Sequence, residues 1–499
     1  MTNETFVDSP KLIKPLQQRR AGALDALRGF AILTMILSGV IPFGVLPFWM
    51  YHAQVPPPDH KFIPIPGITW VDLVFPFFLF AMGAAIPLAL TRRIEKGASK
   101  LQVIGYIIKR GFILAAFAIL SEHIRPWMMS SDPTSKINLL AILGFVLLFG
   151  ILMRFPKSFN PYLCWSIRIA GWLGFIIFMA LIRYPDGSGF SLYRSDIIIV
   201  LLTNSAIFGS LIWLITQKSI LLRLSSLGIL MAFRLSSPIA GWIHSVWEYS
   251  PLPWILRWGY IQYLFIIIPG SIVGDMLLNW IKNPESIKIR DSNVAIAPCN
   301  GTLQDKERNC WLSLRYVSIV ILMIAINVVL VVGLKARWIL ETSLISFAMC
   351  GVGFWLLSNP RNDTEKLFCK LFQWGVYWLI LGLIFEPYED GIKKDPPTMS
   401  YYFITSGLAI FLIIAFSIII DVFKKRWLQL LIDNGQNPMI AYVGNSNVIL
   451  PILALIGLDR IIESITPIPW LGVLRGSFYT FLLALMVSFF TRRKIFWRS

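Results

Sequence analysis

Charge is scarce in this sequence: Asp, Glu, Lys and Arg make up 14% of its 499 residues, whereas hydrophobic residues make up 56%. Soluble domains carry about 25% charged residues, so an ordinary water-soluble globule is excluded. Cysteine is sparse too, at five residues. Alternating the apolar runs across a membrane puts Cys164, Cys299, Cys310 and Cys369 at or near the cytoplasmic side and Cys350 inside a span, which is no disulfide scaffold. No Lys/Arg stripe interleaved with aromatics accompanies the net charge of +18, so nucleic acid is not an expected partner. There is no convincing internal repeat or low-complexity tract, which weakens an inverted-repeat transporter reading. The first twenty residues are polar and no small-residue cleavage site follows the first apolar run, so a removable signal peptide is not expected.

What remains is lipid-soluble chain. Mean hydropathy is +0.68, and apolar runs of roughly 17 to 25 residues, long enough to cross about 30 Å of hydrocarbon, recur from end to end. The expected fold is all-α, a polytopic integral membrane helical bundle with about 11 to 14 transmembrane helices. Fourteen candidate spans fit: 23–46, 68–91, 102–121, 137–153, 163–183, 195–215, 219–236, 259–281, 314–335, 338–358, 369–386, 401–422, 437–457 and 470–491. The seventh, ninth and tenth are the weakest, the seventh because it contains Arg234. Basic clusters before the first span (Lys11, Lys14, Arg19, Arg20), after the second (Arg92, Arg93, Lys96) and at the end (Arg492, Arg493, Lys494, Arg498) place both termini in the cytoplasm by the positive-inside rule. The organisation expected is a cytoplasmic segment 1–22, an N-terminal bundle 23–281 holding the site, a cytoplasmic loop 282–313, a C-terminal bundle 314–491 and a basic tail 492–499.

All four histidines, His52, His60, His123 and His244, fall on or next to the outer side in this topology. Two of them share the first outer loop, which Pro56 to Pro58, Pro64 and Pro66 stiffen. Below it, one turn into the second span, Asp72 needs a partner or a hydrated cavity at such a depth. Pro76 bends the helix a turn further on. An imidazole positioned above a membrane carboxylate suits proton transfer or nucleophilic attack near neutrality. On the first span, Asp25 and Arg28 share a helix face and can pair, with Arg28 available to a cytoplasmic anion such as a phosphate. His52, Asp59 and His60 match no standard metal spacing, so no metal is expected.

The block Asp25-x-x-Arg28-Gly29 with Met35, a histidine-bearing outer loop, and Gly67-x-x-x-x-Asp72-Leu-Val-Phe-Pro-Phe-Phe-x-Phe-x-Met-Gly83 resembles the heparan-alpha-glucosaminide N-acetyltransferase family and its bacterial relatives. Softer matches follow in order at Pro269-Gly270 to Gly274-Asp275, at Gly391-Ile-Lys-Lys-Asp395 leading to Tyr401-Tyr402 and Ser406-Gly407, and at Asn434-Gly435-x-Asn437-Pro438. The resemblance implies an acyltransferase of a bacterial inner membrane that passes acetyl from cytoplasmic acetyl-CoA to an amino or hydroxyl group of a sugar on the far side. It implies His60 or His52 as the active-site histidine, the two not being separable from sequence, with Asp72 holding the imidazole or lining the pocket. Arg28, Asp25 and Arg92 would meet the CoA phosphates. Ser38, Gly39, Asp59 and Gly67 are the acceptor-side candidates, Gly39 standing where the family has an asparagine. The partners implied are membrane lipids and a glycan or small-molecule acceptor, with a homodimer left open. A glycan transporter or flippase is the competing reading, disfavoured by the few ionisable groups within the spans.

Overall fold

A computed structural model describes residues 21–155, 159–283 and 311–497. The N-terminal segment through Arg20, the connection 284–310 with Cys299 and Cys310, and Arg498 with Ser499 lie outside the described residues. In chain order the principal helices are α1 (Gly22–Val40), α2 (Trp70–Ile94), α3 (Lys100–His123), α4 (Ser135–Leu152), α5 (Pro161–Leu181), α6 (Ile197–Thr216), α7 (Ile220–Ser236), α8 (Leu264–Lys282) and α9 (Ser313–Ala336). They continue as α10 (Ile339–Leu356), α11 (Asp363–Ile384), α12 (Met399–Ser417), α13 (Gln429–Gln436), α14 (Pro438–Gly444), α15 (Leu450–Leu455), α16 (Leu458–Ile465) and α17 (Pro469–Arg492). Among the described residues the only strands are a two-residue antiparallel pair, β1 (Met153–Arg154) with β2 (Phe496–Trp497).

Local chemistry sets the helix starts. Asp196 caps α6 by accepting from the Ile198 and Ile199 N–H groups, and Ser99 and Gln102 cap α3 reciprocally. Pro161, Pro438 and Pro469 open α5, α14 and α17, where a missing N–H costs nothing. Thirteen helical segments of the described chain are long and apolar enough to cross a membrane, with α14 and α15 counted as one. The bundle expected from sequence is therefore present.

The expected seventh span is α7, which has 17 residues and is not one of the thirteen. Its two arginines nevertheless tie it to opposite ends of the neighbouring span. Arg223 pairs with Asp275, two turns before the end of α8, at 2.6 Å, and Arg234 donates to Gln262, just before α8, at 3.3 Å and pairs with Glu389 at 2.9 Å. The 11 residues between the arginines rise about 16 Å and the 13 between their partners about 20 Å. Thus α7 runs antiparallel to α8 through nearly the same depth, and it falls outside the thirteen by its length of 17 residues.

In lipid, packing between helices rests on close backbone approach at small residues. A Cβ on Gly29 of α1 would lie 1.8 Å from the Leu431 carbonyl oxygen of α13, and one on Gly435 would lie 1.8 Å from that of Asp25. The same holds between α2 and α8, where Gly83, Gly270 and Gly274 face the carbonyls of Ile267, Phe80 and Ala84 at 2.5, 2.5 and 2.3 Å. Several of the motif glycines are thus helix crossings. Because α1 lies against α12 and α13, and α8 against α12, the stretches 23–281 and 314–491 pack into each other along long faces.

Candidate active site

The connection between α1 and α2 folds back over the start of α2. The Thr69 hydroxyl donates to the Tyr51 carbonyl at 2.6 Å. The Tyr51 phenol bridges Pro42 and Leu46. Asp72, fully buried, receives this loop. Its Oδ2 accepts from the N–H groups of Thr69 and Ala53 at 2.9 and 3.1 Å, and the Thr69 hydroxyl oxygen, whose proton goes to Tyr51, lies 3.2 Å away. Its Oδ1 lies 2.8 Å from His52 Nδ1. With Oδ2 saturated by donors, Oδ1 takes the Nδ1–H of the imidazole, which leaves the lone pair on Nε2.

A second connection, between α11 and α12, closes on the first. The Gly67 N–H donates to the Ile392 carbonyl at 2.7 Å, and the Lys394 N–H donates to Gln54 Oε1 at 3.3 Å. Gln54, itself buried, uses its amide nitrogen on the carbonyls of Ile65 and Gly67 at 2.9 and 3.1 Å. One side chain thereby ties the two loops together. The clamp sets Lys394 Nζ 3.0 Å from His52 Nδ1 and 3.4 Å from Nε2. No position in the ring plane meets both distances without colliding with a ring carbon, so the ammonium sits over the imidazole face. From α12, the Tyr401 hydroxyl donates to the Asp72 carbonyl at 2.7 Å.

A cavity of about 400 Å³ runs between α1, α2, α3, α6 and α14. At one end are Asp25, Arg28, Arg92, Arg110 and Gln436; at the other is Phe75, three residues from Asp72, with Met35 three residues from Ser38. The wall between is apolar, with Phe78, Met82 and Ile86 on it. From Phe75 to Arg92, α2 rises about 25 Å. Arg110 Nε is buried without a hydrogen-bond partner on this wall, while Arg28 is held by Asp25 at 3.3 Å and by the carbonyls of Gly435 and Ala81 at 3.0 and 3.4 Å. A long ligand with an anionic head and a thin tail fits this shape and charge.

A sequence profile described as "Domain of unknown function (DUF5009)" matches residues 20–277, more than half of the chain. The chain belongs to the DUF5009 family. It is also similar to the mouse and human heparan-alpha-glucosaminide N-acetyltransferases, 32% identical to each over 101 and 102 residues. Those stretches are 20% of this chain and only 14% and 13% of the two relatives. The family resemblance read from the N-terminal motifs is borne out.

Within this DUF5009 protein the structure separates the two histidines that sequence left level. His52 is on Asp72. His60 is exposed and stacks on Phe43 with 3.5 Å between ring centroids; its neighbour Asp59 is exposed and pairs with Lys61 at 3.3 Å. His123 and His244 bind backbone carbonyls of Ile119 and Ser237. Gly67 belongs to the loop clamp and has φ +123°, which its glycine identity permits. The Ser38 hydroxyl turns back to the Met35 carbonyl at 2.7 Å, and Gly39 is exposed, with open space where a side chain would stand. Arg28, Asp25 and Arg92 all line the far end of the cavity. Among the described residues no three His, Cys, Asp or Glu side chains are grouped as a metal site. Sequence reasoning missed the roles of Gln54, Tyr401 and Lys394. Gly391 to Asp395 stood out as a motif, but nothing in the order of residues connects position 394 with position 52, 342 residues away.

Proposed function

We propose that this protein is a transmembrane acyltransferase that takes an acetyl group from acetyl-CoA at the Arg28 end of the cavity and delivers it to an amino or hydroxyl group of a sugar at the His52 end. The observation that carries this reading is the alignment of the two halves: Asp72, which orients the His52 imidazole, stands one helical turn from Phe75 at one end of a cavity whose other end is basic. The family relationship supports the same class of reaction, since the relatives named above are N-acetyltransferases. The basic residues of the last turn of α2 and just beyond it, Arg92, Arg93 and Lys96, lie at the Arg28 end, which favours that end as cytoplasmic and the His52 loop as outward-facing.

In this scheme Arg28, Arg92 and Arg110 hold the phosphates of the donor through charge-assisted hydrogen bonds, and the apolar wall holds its pantetheine arm. Asp72 keeps His52 in the tautomer whose Nε2 can accept a proton. The acceptor attacks the thioester carbonyl while Nε2 takes its proton, and the same nitrogen returns the proton to the departing thiolate. The test is transfer by purified protein in sealed vesicles, with labelled acetyl-CoA on one side and glucosamine on the other. Label is expected in the sugar, and both His52→Ala and Asp72→Asn are expected to abolish it. Sugar uptake without label, or transfer that survives His52→Ala, refutes the proposal.

A further inference from the structure

We infer that Lys394 supplies the positive charge that stabilises the oxyanion formed during acyl transfer, so that the site is completed from outside the family-matched segment 20–277. This inference rests on the acyltransferase reading above. Three observations carry it. The ammonium lies over the face of the His52 ring, 3.4 Å from Nε2, the nitrogen turned away from Asp72. Among the described residues no carboxylate makes a direct ion pair with it; Asp72 acts on it only through space, its oxygens being bonded to His52, Thr69 and Ala53. A half-buried ammonium with no carboxylate in direct contact keeps part of its charge available to an anion that forms beside His52 during turnover. Finally, its position is fixed from the backbone, since its own N–H is bound by Gln54 and the adjoining Ile392 carbonyl by Gly67.

The bookkeeping of the step is closed. The acceptor lone pair forms a bond to the thioester carbonyl carbon, the acceptor proton moves to His52 Nε2, and the carbonyl π pair moves onto oxygen beside the Lys394 ammonium. The carbonyl then re-forms, the C–S bond breaks, and the thiolate takes the proton from Nε2, giving an amide or ester and free CoA thiol. A cation fixed where negative charge develops needs no reorganisation at the moment of reaction, which is why such donors matter more than in water.

The experiment compares wild type, Lys394→Met and Lys394→Arg as purified full-length protein in detergent, with acetyl-CoA and glucosamine as the probes. Lys394→Met is expected to lower kcat about 100- to 1000-fold, the range seen when one oxyanion donor is removed, with KM for acetyl-CoA within about 3-fold. Lys394→Arg is expected to recover at least about 10-fold of that loss, because it keeps the charge but not the reach. A kcat for Lys394→Met within about 3-fold of wild type overturns the inference. So does a loss confined to the KM of the sugar, which would make Lys394 an acceptor anchor. If Lys394→Met loses its thermal transition, Lys394→Gln decides by the same kcat criterion. Transfer by the wild type separates the two claims: with transfer present and Lys394→Met unimpaired, only the role of Lys394 fails; with no transfer by the wild type, the acyltransferase reading fails and this role goes with it.

Discussion

Replacing Asp72 by Asn changes a single atom type at the most constrained point of the site, and its effects on stability and on turnover should part company. The two donors on Oδ2, the Thr69 and Ala53 N–H groups, can be met by the amide oxygen of Asn. That fixes the amide nitrogen toward His52 Nδ1. An NH₂ group can only donate, so Nδ1 must carry the lone pair and Nε2 the proton, which reverses the tautomer that acyl transfer needs. The fold loses only the charge-assisted part of the bonds, about 1 to 2 kcal/mol. Turnover should fall about 10³- to 10⁴-fold, as expected for an imidazole held in the wrong tautomer. Asp72→Ala behaves differently: it strands two buried N–H groups at about 1 to 3 kcal/mol each, so roughly 2 to 6 kcal/mol of stability is lost as well. The assays are acetyl transfer to glucosamine and tryptophan-fluorescence melting of the same preparations. The double variant His52→Ala, Asp72→Asn should be no slower than His52→Ala alone, because the two side chains act as one unit. An Asp72→Asn protein with kcat within 10-fold of wild type would refute the tautomer argument.

Other expectations follow from particular contacts. His60→Ala should keep transfer within about 3-fold of wild type while His52→Ala loses about 10³-fold or more, measured side by side. Arg28→Met should raise the KM for acetyl-CoA about 10-fold or more with a smaller effect on kcat, since phosphate binding is common to ground and transition states. Gly435→Ala forces a methyl group against the Asp25 carbonyl and should cost at least about 1 to 3 kcal/mol, read as a lowered melting midpoint. Single cysteines at Lys218 and Ser245, on either side of α7, should label from opposite faces of oriented vesicles; labelling from the same face would show that α7 does not cross.

The fold was legible because lipid demands a coarse signal. Long apolar runs announce themselves, and the ends of α2, α6, α9 and α12 follow from the composition of runs such as Ser313 to Ala336. The first expected span ends at Val40 instead of residue 46 because Pro42 cannot continue the helix. The weakest candidate, 219–236, is a helix of only 17 residues that carries Arg223 and Arg234, and the partners of those arginines, Asp275 and Glu389, are visible only in three dimensions. The same division holds in the site. Asp72 could be singled out because a buried carboxylate in a span is rarely idle, and the His52 loop because its prolines are unusual. Choosing between His52 and His60 needed the path of the loop, which depends on Gln54 reaching Ile65, Gly67 and Lys394. Motif glycines such as Gly29, Gly83, Gly270, Gly274 and Gly435, by contrast, mark helix crossings whose partners are carbonyls, and a carbonyl has no residue identity to read.

The clamp that joins Gln54 to Lys394 also orders events in time. A ribosome adding 5 to 20 residues per second needs on the order of tens of seconds to make the 342 residues that separate His52 from Lys394. By residue 216 the cavity walls from α1, α2, α3 and α6 have been made, but the α14 wall, the lysine above the imidazole and Tyr401 behind Asp72 have not. A chain that ends before Lys394 therefore lacks both the α14 wall of the cavity and the lysine beside His52, so under the proposed function the donor end and the reacting end are completed together, in the last quarter of the polypeptide.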